Sequence, residues 1–161
     1  MITSSLENLD PSIRNAVRAL IVRDGSILLL RKDGGGQGER FALPGGAQDP
    51  GETLVEALAR ECQEEIGTQV EIGDLLTVAD YFKKRDTQPP STRHLLEFLF
   101  SSRVPDDYTP KNGHHPDKHQ VEVVWVRLSD IGQLMIFPRS LSGSLPGIIN
   151  GDNMGYLGII D

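Results

Sequence analysis

The stretch "GGAQDPGETLVEALARECQEEIG", Gly45 to Gly67, constrains this chain more than any other. It sets six carboxylates, Asp49, Glu52, Glu56, Glu61, Glu64 and Glu65, against the single Arg60. Thr53 and Glu56 have capping-box spacing and Gly67 is a natural stop, so the spacing predicts a helix from about Thr53 to Ile66. Val55, Leu58, Ala59, Cys62 and Ile66 recur at three- and four-residue steps and are expected to face a core. Like charges one helical turn apart repel by a few tenths of a kcal/mol per pair. A fold that keeps this cluster either gives it to water or uses it to hold a cation.

The remainder of the sequence frames that choice. The 161 residues suffice for one domain with a real core, and residues 1–161 are expected to form a single one. The formal net charge of -7 argues against a nucleic-acid or acidic-membrane binder, each of which wants a basic face. Cys62 is the only cysteine, so an internal disulfide is impossible and a reducing, cytoplasmic setting is expected. "MITSSLENLDPSIRN" lacks the basic start and apolar middle of a secretory signal. The apolar runs "ALIV" and "SILLL" are too short for a membrane span.

Along the chain, "NAVRALIVRDGSILLLRKD" reads as two strands joined at Asp24-Gly25. "DGGGQGER" reads as a flexible glycine loop, a mobile connection able to close over a substrate, and in "FALPGG" Pro44 and the glycines end a short strand. Further strands are expected in "QVEIGDLLTVADYF", "TRHLLEFLFSS" and "HQVEVVWVRL", the first interrupted at Gly73-Asp74. Ser129 is expected to cap a helix in "SDIGQLM", and "PRSLSGSLPGIING" to form a last helix. The tail "DNMGYLGIID" is apolar enough to dock, with a homodimer partner as one home for it. Strands on both sides of one strong helix predict a mixed sheet between helices.

Glu61, Glu64 and Glu65 stand three and four apart and can project from one side of the helix. Hard divalent cations want oxygen ligands and keep several waters, which such a triangle leaves room for. Arg60, four before Glu64 and eight after Glu52, can tie one carboxylate while leaving others free. "LPGG" and "PGE" bend the chain at the helix N-terminus, where free backbone N–H groups favour a phosphate. Metal ligands beside a phosphate cradle point to cleavage of a phosphate ester or anhydride.

The segment resembles the signature of the Nudix (MutT-like) hydrolases. The pattern is carried by Gly46, Glu52, Arg60, Glu61, Cys62, Glu64, Glu65, Gly67 and Thr68, of which Cys62 and Thr68 stand where it has aliphatic residues. The resemblance implies an α/β/α sandwich around a mixed sheet. It also implies magnesium- or manganese-dependent hydrolysis of the pyrophosphate linkage in a nucleoside diphosphate derivative, by metal-activated water. The substrate would be a nucleotide sugar such as ADP-ribose, or a nucleoside triphosphate. On that resemblance Glu64 and Glu65 are metal ligands, Glu61 a ligand or base, and Glu52 a further ligand or the partner of Arg60. The Gly46 carbonyl completes the set. A Nudix-like domain that senses a nucleotide without cleaving it is the rival reading, and a structural protein with a solvated acidic helix the third.

Outside the motif, Glu97 and Asp117 are candidates for a further acidic ligand or base, with Glu122 behind them. Gln120 is a candidate for the same pocket, as are Gly45 and Gly46 for substrate contact. His114, His115 and His119 read as a solvent loop near a substrate mouth, more than as a site for a soft metal. Lys83 to Arg85 either meet a substrate phosphate or stay solvated, and solvation is the expectation. Tyr81 and Phe82 fit a nucleobase stack or the core equally well.

Overall fold

A computed structural model describes residues 8–161; the first seven residues of the N-terminal stretch read above lie outside it. The strands are β1 Arg14–Arg23, β2 Ser26–Lys32, β3 Arg40–Ala42, β4 Gly45–Ala47, β5 Glu71–Arg85, β6 Ser91–Arg103, β7 Gln120–Arg127, β8 Ile136–Phe137 and β9 Gly155–Ile160. The helices are α1 Leu54–Ile66 and α2 Arg139–Ile149. The strand order is β8-β3-β2-β1-β6-β5-β9, with β4 also paired to β1 and β7 to β2. Pairing is mixed: β1–β6, β3–β8 and β5–β9 are parallel, and the other pairs antiparallel. Among the described residues no helix is long and apolar enough to cross a membrane.

The alternation of β1 divides the molecule. Val17, Ala19 and Ile21 point to one core, with Leu28, Leu30, Phe100 and the α1 residues Ala57, Leu58, Cys62 and Ile66. Leu20 points the other way, into a second core with Ile27, Leu29, Leu99 and the α2 residues Leu141, Leu145 and Ile148. A sheet covered by a helix on each face is the expected layering.

Local chemistry sets the elements that were legible. Asp24 and Gly25 both take positive φ, 52° and 76°, as a two-residue hairpin turn requires. Thr53 caps α1 through a full capping box with Glu56, and Gly67 ends it at φ 70°. The apolar stripe is rotated from the expected one: Ala57 is buried, whereas Val55 and Ala59 are exposed. The rotation turns Glu65 inward as well.

Four elements differ from the expectation. The two glycines after Pro44 open a second short strand, β4, which pairs with β1 through Val17↔Gly46. The segment Leu128–Gln133 is a 3-10 turn without a side-chain cap, since six residues containing Gly132 are too few for a stable α-helix. Lys83, Lys84 and Arg85 belong to β5. The apolar tail docks on its own chain, where β9 lies parallel to β5 with Val78↔Tyr156 and Tyr81↔Ile160 in register. Tyr156 donates its hydroxyl to Asp80, whose other oxygen is 2.7 Å from His94 Nε2.

Candidate active site

An open cleft of about 780 Å³ lies where β4 and α1 meet the sheet face opposite the first core. The strand registers build its floor in rows. Arg14, Leu95 and Tyr81 stand side by side on β1, β6 and β5, and Ala16, Glu97 and Ala79 form the next row. Lys83 opposite Arg93 and Arg85 opposite Ser91 continue it outward. Directly paired residues share a sheet face. Arg14, Arg18, Tyr81, Lys83, Arg85, Arg93 and Glu97 all line the cleft.

Arg60 organises the acidic segment. Its Nε and Nη2 donate to the two oxygens of Glu52 at 2.7 and 3.0 Å. Nη1 reaches Glu61 at 3.1 Å and Glu64 at 3.4 Å, and Nη2 also donates to the Ala47 carbonyl at 2.9 Å. The Arg60 hydrogen bonds, then the Asp49 N–H, hold the Glu52 carboxyl below its ordinary value. Glu52 is therefore the partner of Arg60 and stands outside the main cleft.

The three helical carboxylates occupy different environments. Glu61 lines the cleft, and a Cβ built on Gly46 would stand 2.6 Å from its Oε1 and Cδ. Desolvation raises the Glu61 carboxyl despite the opposing pull of Arg60. Glu65 is only 2% exposed and accepts the Gly45 N–H at 2.8 Å. Burial holds its carboxyl well above the ordinary range, against that hydrogen bond. Glu64 leans on Arg60 and does not line the cleft. Among the described residues no three His, Cys, Asp or Glu side chains form a ready-made metal cage.

Three amides of the expected phosphate cradle, those of Gly45, Thr53 and Glu56, are taken by the protein's own groups. Thr53 and Glu56 close the first turn of α1, and the Gly45 amide is committed to Glu65. Gly45 itself is required by backbone approach: its φ is 142°, and a Cβ there would collide with the Val17 carbonyl oxygen.

Of the residues outside the motif, Glu97 and Asp117 both line the cleft. Glu97 is 6% exposed; Oε2 is 3.4 Å from Arg18 Nε, while Oε1 is buried with no hydrogen-bond partner. Arg18 also donates to the Gly45 carbonyl at 3.1 Å, so it ties Glu97 to the glycine strand. Burial works to raise the Asp117 carboxyl, but Lys32 at 2.9 Å prevails and holds it low. Gln120 does not reach the cleft; its amide donates to the Glu65 carbonyl and to Asn112, and its Oε1 accepts the Asp117 N–H. Glu122 pairs with Arg31 away from the cleft.

The remaining segments fall on both sides of the expectations. Lys83, Lys84 and Arg85 line the cleft, where simple solvation was expected. Tyr81 lines it too, while Phe82 stacks on His94 at 4.4 Å. His119 lines the cleft and packs on Gly34 and Gly35, with His114 and His115 outside it. The buried Arg40 anchors the glycine loop at two points, donating to the carbonyls of Gly34 and Gly38 at 3.1 and 2.9 Å. Sequence reasoning missed Arg14, Arg18, Lys32 and Arg40. The available signal was the pair Arg14 and Arg18, which share parity in a strand whose residues 16–17 and 19–22 are all apolar.

The oxygen groups in and beside the cleft, the carboxylates of Glu61, Glu64, Glu65 and Glu97 and the β4 main chain, would suit a hard divalent ion such as magnesium or manganese. Two observations fit such an ion. Glu97 has an unpartnered buried oxygen, and the space a Cβ of Gly46 would fill lies against the Glu61 carboxylate.

The NUDIX domain family model matches residues 12–142. An ADP-ribose pyrophosphatase of Methanocaldococcus jannaschii is 35% identical over 92 residues, 57% of this chain and 50% of that protein. The nucleoside triphosphatase NudI of Enterobacter sp. strain 638 is 43% identical over 61 residues, 37% of this chain and 43% of that protein. This chain thus spans half or less of the length of these two curated relatives. A solved NUDIX hydrolase from Nitrosomonas europaea shares the fold, with a TM-score of 0.69 at 22% identity over 91% of this chain and 94% of that one.

Proposed function

Because the chain belongs to the NUDIX domain family, we propose that it is a pyrophosphohydrolase of a nucleoside diphosphate derivative, working with magnesium or manganese. The observation that carries this reading is the Glu61 carboxylate seated against Gly46 in the cleft that also holds Glu97 with its unpartnered oxygen. Glu61, Glu64, Glu65 and the Gly46 main chain would hold the ion, with Glu97 or Asp117 adding a carboxylate. When bound, the ion supplies charge neutralisation at the phosphate oxygens and a more acidic attacking water.

The protein's own groups do the rest. Arg60 fixes the carboxylates through Glu52 and keeps their mutual repulsion in check. Glu61, beside Arg60 at the cleft wall, serves either as a ligand or as the group that takes a proton from water. Gln120 holds the Asp117 turn and the Glu65 carbonyl together, a positioning role.

The test is a nucleotide panel, ADP-ribose and nucleoside triphosphates included, followed by nucleoside monophosphate and phosphate release with magnesium and with chelator. Metal-dependent release that drops by orders of magnitude in Glu64→Gln and Glu65→Gln supports the reading. Release that survives both substitutions in folded protein, or binding without any cleavage, refutes it; the latter outcome is the sensor module.

A further inference from the structure

Nine Lys and Arg residues line the cleft against four carboxylates, in a chain whose formal net charge is -7. Five of the cations, Arg14, Lys83, Lys84, Arg85 and Arg93, stand on the outer rows of β1, β5 and β6. Lys83 and Arg93 are direct cross-strand partners, an arrangement in which like charges destabilise a sheet. Asp10 relieves part of it by facing both Arg85 at 3.4 Å and Arg93 at 3.3 Å. Among the described residues no carboxylate lies within 4.0 Å of Arg14 or Lys83. Desolvation, then Arg18 and Lys32, also hold the Lys83 ammonium below its ordinary value. The outer floor of the cleft has unspent positive charge.

Distance decides what can use that charge. Arg14 and Leu95 lie two residues from the Glu97 row, and Arg93 four residues from it along β6. At about 3.3 Å per strand residue the basic rows begin roughly 7 Å and extend to roughly 13 Å from Glu97. A linkage cleaved at the carboxylates leaves the basic rows to whatever lies beyond it. The hydroxyls of a plain sugar bring no charge there, whereas a further phosphoryl group brings roughly 1.5 to 2 negative charges. It would accept charge-assisted hydrogen bonds from the guanidinium and ammonium groups, strengthened by the focusing of field in a cleft.

We propose that Arg14, Lys83 and Arg93 form a subsite for a phosphoryl group additional to the two of the cleaved linkage. This rests on the pyrophosphohydrolase reading and narrows its substrate class. The extra group has two sources, the end of a triphosphate chain or a phosphate on the ribose of a diphosphate ester. Simple nucleotide sugars, ADP-ribose among them, become the poorer substrates.

The experiment compares kcat/KM of the full chain with magnesium on three substrates: ATP, coenzyme A as a diphosphate ester with a ribose phosphate, and ADP-ribose. One of the first two should exceed ADP-ribose by tenfold or more, and which one does so identifies the source. Lys83→Ala and Arg93→Ala should each raise KM for that substrate about tenfold and collapse its advantage over ADP-ribose, and Lys83→Arg should restore it. The Lys83 side chain makes no hydrogen bond or ion pair among the described residues, so its replacement keeps the fold and an unfolded Arg93 variant leaves the test intact. Preference for ADP-ribose, or an advantage unchanged in Lys83→Ala, overturns the inference. If nothing is cleaved, the hydrolase reading fails by itself, and calorimetric titration with the same three compounds decides the subsite. Tighter binding of a triply phosphorylated compound that Lys83→Ala abolishes supports it, and equal affinities overturn it.

Discussion

Gly46→Ala separates the chemistry of the cleft from the stability of the fold. The added Cβ would stand 2.6 Å from both Oε1 and Cδ of Glu61. The carboxylate must retreat by ~0.8 Å, the gap between 2.6 Å and the 3.4 Å at which ordinary contact begins, and misplacement near 1 Å costs about 100-fold in rate. The backbone has no reason to move, because Gly46 has no positive φ and the obstacle is the far end of a flexible side chain. Displacing that side chain from its rotamer costs roughly 0.5 to 1.5 kcal/mol. Thermal unfolding should therefore shift down by a few degrees only, while kcat/KM on the best substrate falls about 30- to 100-fold. Glu61→Ala supplies the control. If the loss passes through the Glu61 carboxylate, adding Gly46→Ala to Glu61→Ala costs nothing further, a full departure from additivity. Additive losses, or a folded Gly46→Ala with native activity, would refute the argument. Gly45→Ala is the contrast: its Cβ meets the Val17 backbone carbonyl, so it should lose the fold before it loses the chemistry.

Arg60→Met removes the partner of Glu52, Glu61 and Glu64 at once, and with these side chains partly exposed it should cost about 1 to 2 kcal/mol in chelator. Magnesium should recover more of the melting temperature in this variant than in the parent, and equal recovery in scanning fluorimetry would count against cation binding by these carboxylates. Asp80 is held below its ordinary carboxyl value of 3.8 by Tyr156 first and His94 second. Its contribution is thus present above about pH 3.8 and lost as pH falls through its lower folded value. Asp80→Asn should melt lower than the parent near neutrality and converge with it in acid; a gap that persists at low pH would contradict this. Cys62 is fully buried and its thiol is pushed up by burial, so a disulfide reagent should label it only on unfolding, and Cys62→Ala should keep its substrate preference. Rapid labelling of the native protein would show that the core around α1 opens.

What could be read from the sequence was what residues decide within a few positions of themselves. Asp24-Gly25 specifies its turn through two positive φ angles, and Thr53 with Glu56 closes a capping box three residues long. Glu52, Arg60, Glu61 and Glu64 come together because one helix and the turn before it carry them all. The commitment of the Gly45 amide to Glu65 was not legible, since it depends on β4 lying against β1 and on a small rotation of α1. Nor was the basic floor. Arg14 meets the β5 and β6 rows only through registers that join positions about 80 residues apart, as in Arg14↔Leu95. Gln120 failed as a pocket residue for a related reason: the backbone carbonyl of Glu65 and the Asp117 turn claim its amide first.

Arg60 also explains how the acidic segment tolerates folding before any cation arrives. Without it, Glu52, Glu61 and Glu64 would face one another in a partly dehydrated wall. With it, each has a guanidinium N–H within 3.4 Å. The compensation is incomplete where the chemistry would be: desolvation still raises Glu61, and Glu97 keeps one oxygen without a partner. A carboxylate fully satisfied by arginine would have little reason to exchange it for an ion, and one left wholly unpaired would destabilise the sheet beneath it. The arrangement sits between these limits, with the firmest pairing at Glu52 outside the main cleft and looser ones at Glu61 and Glu97 within it. That gradient requires the response to magnesium to depend on Glu61 and Glu97 more than on Glu52. Glu52→Gln should therefore lower the melting temperature while preserving its rise with added magnesium, and loss of that rise in Glu52→Gln, with retention in Glu61→Gln, would reverse the assignment.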